Sequence, residues 1–301
     1  MLQLTTAGYR ALDNLRSGGG FPAPWKSMAE LEGAADTAVA RFLDERWRVS
    51  LELGGGFLLP ELIDRALRTS DIEQMDKEIP EEEKLELVRA LDRQNAMMQL
   101  YGRYVDILRP LILEVAEREK RNARVLELAC GSGGLSMALA EVIRQNSLPA
   151  EITGSDIVPA FIDAGNALAR ERELPVSFRV LDAFNMQLLD GDQFDLIVIS
   201  QSLHHFTPGR LAVMIAQSAT RASTAFIGID GYRSTLLACG VPLIASLQGI
   251  PAFALDGLTS ARKFYSELEL GLIAEIATGR KDHSISCSWP LSVLKVSFKG
   301  F

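Results

Sequence analysis

The residues whose types and spacing suit chemistry are a set of carboxylates, each near the end of a short apolar run, and a pair of adjacent histidines. Glu127 lies within the run 124–129 and precedes Cys130-Gly131-Ser132-Gly133-Gly134. Glycines at that place let a backbone turn sharply from a strand and approach a ligand closely. A dinucleotide-type GxGxxG would need glycine at Ser136, and a phosphate loop would end in Gly-Lys-Ser/Thr; both are absent. A carboxylate at Glu127 opposes pyrophosphate and suits a cationic ligand. Asp156 ends the run 151–156, where an acid accepts hydrogen bonds from both hydroxyls of a ribose. Asp182 follows the run 176–181 and precedes the small Ala183, a pairing suited to an adenine amino group.

The run 194–200 is the strongest strand signal in the chain and leads into Ser200-Gln201-Ser202-Leu203-His204-His205. A base that removes a proton works best with a pKa near working pH, which favours histidine. The chain has three histidines, and His283 starts a run at the far end, where it reads as structural. Asp230 ends the run 224–230. If the strands ending at Ser200 and Asp230 are neighbours, Asp230 orients either His204 or His205 as a base. Strand alternation favours His204 on the side of Ser200.

The sequence changes character near residue 122. Before it, the periodicity is helical. A stretch over 29–53 carries an apolar stripe of Leu31, Val39, Phe42, Leu43 and Trp47. Further helices are expected over 58–67, 81–98 and 99–120, the last broken or kinked at Pro110. Glu81, Glu82 and Glu83 read as a solvated first turn beside a helix N-terminus, not as a metal site. After residue 122, strand and helix patterns alternate: strands at 124–129, 151–156, 176–181, 194–200 and 224–230, helices at 135–145, 159–173, 208–221 and 260–277, and a terminal antiparallel pair turning at Pro290. Such alternation gives a mainly parallel sheet covered by helices. In such sheets ligands sit beyond the carboxyl ends of the strands, where the carboxylates above fall.

Of 301 residues, 48% are hydrophobic and 23% charged, which excludes global disorder and supplies material for two domains or one large one. The net charge of −8 argues against nucleic acid or an anionic membrane as a partner bound through bulk charge. Cys130, Cys239 and Cys287 are widely spaced, so neither a disulfide framework nor a cysteine zinc site is expected, and no metal is expected. No signal peptide is visible, and a cytoplasmic location is expected. The uncharged stretch 235–255 is long enough to span a bilayer, but Gly240, Pro242, Gly249 and Pro251 interrupt it; it reads as a buried or lid-forming insert.

Taken in order, VLELACGSG (125–133), GSDI (154–157), LDA (181–183) and FDLIVISQSLHHF (194–206) resemble the motifs of class I S-adenosylmethionine (SAM)-dependent methyltransferases, over roughly residues 95–300. The resemblance implies an α/β, Rossmann-like, seven-stranded sheet, mostly parallel with an antiparallel last strand. It implies that Glu127, Ala129, Gly131 and Gly133 line the methionine part of SAM, with Ala129 standing where glycine is commoner. Asp156 and Ile157 fall in its ribose motif, Asp182 and Ala183 meet the adenine, and Ser200 and Gln201 lie beside the sulfonium. The segment 256–277 is similar to small-molecule methyltransferases related to quinone biosynthesis, and the histidine–aspartate pattern to sugar and phenol O-methyltransferases. The Asn/Asp-Pro-Pro-aromatic motif of enzymes that methylate DNA bases is replaced here by Ser-Gln-Ser-Leu, which disfavours such substrates.

The expectation is therefore a methyl transfer from SAM to a small apolar or aromatic metabolite, on oxygen, in secondary metabolism, by a domain over 121–301 with a lid-like insert at 231–258. Residues 1–120 are expected to form an all-helical cap. Met97, Tyr101, Tyr104 and Tyr232 are candidates for the acceptor pocket, although such residues are more often core. A homodimer is left open. The rival reading is a methyltransferase-fold protein that binds SAM but catalyses a cyclisation or dehydration, or serves as a binding partner. A nicotinamide-dependent oxidoreductase is disfavoured by the missing third glycine and by Glu127.

Overall fold

The structure is a computed structural model that describes residues 2–145, 148–186 and 191–298. Five helices come first: α1 (Leu2–Ser17), α2 (Met28–Leu53), α3 (Gly55–Leu67), α4 (Glu81–Met97) and α5 (Leu100–Glu119). Strands and helices then alternate as β1 (Ala123–Leu128), α6 (Gly134–Arg144), β2 (Ala150–Asp156), α7 (Pro159–Glu171), β3 (Val176–Val180), β4 (Phe194–Ser200), α8 (Pro208–Arg221) and β5 (Ala222–Gly231). The chain ends in α9 (Thr235–Ser246), α10 (Pro251–Lys263), α11 (Glu267–Thr278), β6 (His283–Ser288) and β7 (Leu291–Ser297). The strands form one sheet in the order β3-β2-β1-β4-β5-β7-β6. The first five pair in parallel, and β7 runs antiparallel to both β5 and β6. The Rossmann-like sheet with a reversed last strand is thus present.

The central strands are apolar throughout because both their faces are covered. Val125 of β1, Leu196 and Val198 of β4, and Ile227 and Ile229 of β5 pack under α5 and α6. Leu126 and Leu128, Ile197 and Ile199, and Phe226 face the other way, toward α8, α11 and the first two helices. In α2, Leu31, Val39 and Phe42 are buried in that same core with Leu211 and Ile215 of α8 and Ile273 of α11. A buried ionic network also ties this region to the rest of the chain. Arg46 contacts Glu61 at 2.8 Å and Asp64 at 2.6 Å, Asp64 contacts Arg233 at 2.6 Å, and Arg68 contacts Glu269 at 2.7 Å. The nearby arginines hold the Glu269 carboxyl down at about 2, although its burial alone would raise it. Removing one partner from such a network costs about 3–5 kcal/mol, because it leaves a buried charge uncompensated.

Two expectations about helices are corrected. Pro110 does not break α5. It lies on the exposed side, and so does Asp106, whose carbonyl has no N–H to accept from at Pro110. The helix expected over 260–277 is two helices. α10 stops at Lys263, and Ser266 starts α11 with a reciprocal capping box to Glu269. Between them, Phe264 fills the space that a side chain at Gly231 would need, and its carbonyl accepts from Arg233 Nη1 at 2.8 Å. The uncharged insert forms α9 and the start of α10. Among the described residues, no helix is long and apolar enough to cross a membrane.

Candidate functional site

The crevice at the carboxyl ends of β1 and β2 is braced by its own acids. Glu127 is 2% exposed. Its Oε2 accepts from the Ser136 backbone N–H at 3.1 Å and from its hydroxyl at 2.6 Å, and its Oε1 accepts from the Ser200 hydroxyl at 3.1 Å. Burial pushes the Glu127 carboxyl up to about 7, against the hydrogen bonds that favour its ionised form. Asp156 accepts from the N–H of Gly131 at 2.9 Å and of Val158 at 3.0 Å, so it fixes the glycine loop. Its pKa is raised by burial, with those amides opposing. Gly133 has φ +83°, and a Cβ there would lie 2.3 Å from the Phe178 ring. Ala129 adopts φ +47°, which costs an L-residue about 1 kcal/mol and explains why glycine is commoner at that position in the methyltransferases it resembles. Asp182 accepts from the Phe184 N–H at 2.9 Å, turning the chain after β3 close to Asp156, while Ile157 stands exposed beside them and Ala183 packs on the core.

Helix α4 and the start of α5 roof this crevice. The Asn95 and Gln201 amides pair reciprocally at 2.6 and 3.1 Å. The Tyr101 hydroxyl donates to Asp92, and the Tyr101 ring occupies the space over Gly134.

At Gln201 the crevice meets a cavity of about 440 Å³. Its walls are apolar, with Leu91 from α4, Met98 before α5, Leu237, Val241 and Ile244 from α9, and Phe253 from α10. Its polar end is formed by His204, His205 and Glu73. β4 and β5 are adjacent, so Asp230 reaches His204. Asp230 accepts from the backbone N–H of His204 at 3.0 Å and of Gly231 at 2.7 Å, and lies 2.8 Å from His204 Nδ1. A carboxylate there selects the Nδ1–H tautomer and leaves the Nε2 lone pair free. Nε2 is buried and has no hydrogen-bond partner. His205 Nδ1 pairs instead with Asp76 at 2.7 Å. Burial disfavours the charge on His205, but that bond and the charges of Glu73 and Asp76 raise its pKa.

Residues 125–223 match the family model of a methyltransferase domain. Over that span the chain is similar to methyltransferase domains. It is 33% identical over 88 residues to a demethylmenaquinone methyltransferase of Thermus thermophilus, covering 29% of this chain and 38% of the relative. It is 30% identical over 94 residues to a ubiquinone biosynthesis O-methyltransferase of Xanthomonas campestris pv. campestris, covering 31% and 36%. The chain thus spans just over a third of the length of these curated relatives. Among solved structures, the plantazolicin methyltransferase BpumL in complex with SAH superposes with a TM-score of 0.53 at 13% identity, over 79% of this chain and 96% of that one. At that identity the match shows a shared fold.

The strand ends bring together most of the residues expected from sequence. Glu127, Gly131, Asp156 and Ser200 form one hydrogen-bonded crevice, and His204 meets Asp230. The expectation for the acceptor pocket is corrected. Met97 is exposed, Tyr104 is buried in the core on the inner face of α5, and Tyr101 seals the roof over the glycine loop. Tyr232 lines a separate cavity of about 270 Å³ next to Arg46 and Asp64. The helical turn sets this outcome, since neighbouring residues point about 100° apart and Met98, not Met97, faces the cavity. Sequence reasoning missed Glu73, Asp76, Asp92 and Asn95. Residues 69–78 are polar and without period, so nothing in them marks Glu73 or Asp76.

Proposed function

We propose that this chain transfers the methyl group of SAM to an oxygen of a small apolar or aromatic metabolite. The observation that carries this reading is the junction at Gln201, where a crevice of carboxylates and glycines opens into an apolar cavity with a free imidazole lone pair at its end. The crevice residues fit SAM. Glu127 is a buried carboxylate bonded by hydroxyls and one amide, and a cationic ammonium matches its charge. Asp156 and Asp182, at the end of β2 and after β3, are the groups for the ribose and the adenine in this reading. When bound, SAM supplies a methyl group already activated by its sulfonium.

The chain's own work is alignment and proton removal. The walls of α9 and α10 exclude water and hold an apolar acceptor with its oxygen toward His204. Asp230 fixes the His204 ring, and Nε2 accepts the hydroxyl proton. The names of the matched quinone-biosynthesis relatives support an aromatic acceptor. The test is incubation with SAM and a panel of phenols, quinols and hydroxylated aromatic acids, read by mass spectrometry. The expected result is a gain of ~14 Da in at least one acceptor, as a methyl replaces a proton. SAM binding by calorimetry with no mass gain across the panel would favour the non-methylating reading, and absence of SAM binding would overturn both.

A further inference from the structure

The cap delivers a third group to the two histidines. Glu73, at the turn before the 3-10 segment Gln74–Asp76, is 2% exposed and sits between them. Its Oε1 lies 3.5 Å from His204 Nε2, and its Oε2 lies 3.7 Å from His205 Nε2. The three ligand atoms all fall within 4.8 Å of one another. Glu73 Oε1 and His204 Nε2 are both buried without a hydrogen-bond partner. Two such atoms facing each other are costly unless something positive lies between them.

We propose that Glu73, His204 and His205 bind a divalent first-row cation, best matched by zinc, with an open coordination position toward the acceptor cavity. Zinc bonds of about 2.0–2.2 Å to nitrogen and oxygen place tetrahedral ligands about 3.3–3.5 Å apart, close to the two glutamate–histidine separations of 3.5 and 3.7 Å. The second shell has the form that orients metal-binding imidazoles: each Nδ1 is held by a carboxylate, Asp230 at 2.8 Å and Asp76 at 2.7 Å, so that each Nε2 points to the centre. Charge also favours a cation. Lys263 lies 3.5 Å from Glu73 Oε1. Around it are four carboxylates, Glu73, Asp76, Asp230 and Asp256, the last accepting from the Gln74 N–H at 2.5 Å. Ser260 donates to Glu73 Oε2 at 2.8 Å, which holds the carboxylate in place. Three protein ligands with a fourth position open to a cavity is the form of a catalytic zinc site.

The site rests on the methyl-transfer reading only for its use. With an ion on Nε2, His204 is no longer a proton acceptor. An acceptor hydroxyl on the open position then loses its proton to solvent more readily, and its oxygen forms the new bond to carbon as the methyl–sulfur bond breaks.

The test is direct and needs no turnover. Protein dialysed against EDTA and then freed of chelator is titrated with Zn(II) by calorimetry, and with Co(II) by visible absorption. Binding should be one ion per chain. Glu73→Gln and His205→Gln should each weaken it by at least about 100-fold, and Asp76→Asn, on a half-exposed carboxylate, by about tenfold. Absence of saturable one-to-one binding overturns the proposal, as does unchanged affinity in Glu73→Gln and His205→Gln. SAM calorimetry on the same samples checks folding and separates the two readings. Zn(II) bound without SAM binding would sink methyl transfer and keep the metal site; SAM bound without Zn(II) would do the reverse.

Discussion

The two halves of the site are built by opposite means. The crevice is made at the ends of adjacent parallel strands, from residues in the last positions of a strand or just after it: Glu127, Gly131, Asp156, Asp182 and Ser200. Its groups hold one another, as Asp156 holds the Gly131 amide and Ser200 holds Glu127. The cavity draws on segments scattered from Glu73 to Leu291, and from the ends of β4 and β5 it takes Gln201, His204, His205, Asp230 and Gly231. A fold that constrains the first half this tightly leaves the second free to change shape, which is where acceptor specificity would be set.

If the halves are separable, changes in one should leave the other's measurement nearly untouched. The largest effect is expected at the polar end of the cavity. His204→Ala should lower turnover by roughly 10²–10⁴-fold, whether His204 takes the proton itself or holds the ion that activates the hydroxyl, with SAM affinity within about threefold of wild type. A comparable loss of SAM affinity would show that the division is false. On the crevice side, Asp156→Ala removes a charged partner of two ribose hydroxyls. A loss of about 100-fold in SAM affinity is expected by calorimetry, at about 1.5–3 kcal/mol for a bond to a charged group. Undiminished affinity would remove Asp156 from the ribose role.

A pH effect of intermediate size follows from Glu127. Its carboxyl sits at about 7, well above the ordinary 4.5. The folded chain therefore holds this proton more tightly than the unfolded one, and the group destabilises the fold as pH rises from about 4.5 through 7. A bound ammonium favours the ionised form, so SAM binding should release a proton below and around pH 7. Affinity should rise about tenfold from pH 6 to 8 and then level off, and Glu127→Gln should abolish the trend. Calorimetry in buffers of different ionisation enthalpy reads the released proton; a flat profile would refute the assignment. The smallest effect is in the cavity wall. Ile244→Val removes one methylene, and should weaken an apolar acceptor about fourfold, at ~0.8 kcal/mol, without altering SAM affinity.

The difference between the halves also explains how much was legible beforehand. The sheet and its strand ends could be read because a strand buried on both faces must be continuously apolar, and because the glycines and acids after it are local in sequence. Four such segments in register located Glu127, Asp156, Asp182 and Ser200 without coordinates. The pairing of His204 with Asp230 needed one more inference, the adjacency of β4 and β5, and the sheet order supplies it. Helical phase was harder. Pro110 suggested a break that an exposed position does not enforce, and Met97 and Tyr104 were one turn position away from the wall they were expected to line. Glu73, Asp76 and Asn95 left no local trace, because what gives them meaning is contact with residues more than 100 positions away. Sequence carries the parts whose neighbours along the chain are also their neighbours in space. The folded chain alone brings Glu73 between two histidines, since the packing of distant segments, not adjacency along the chain, sets those distances.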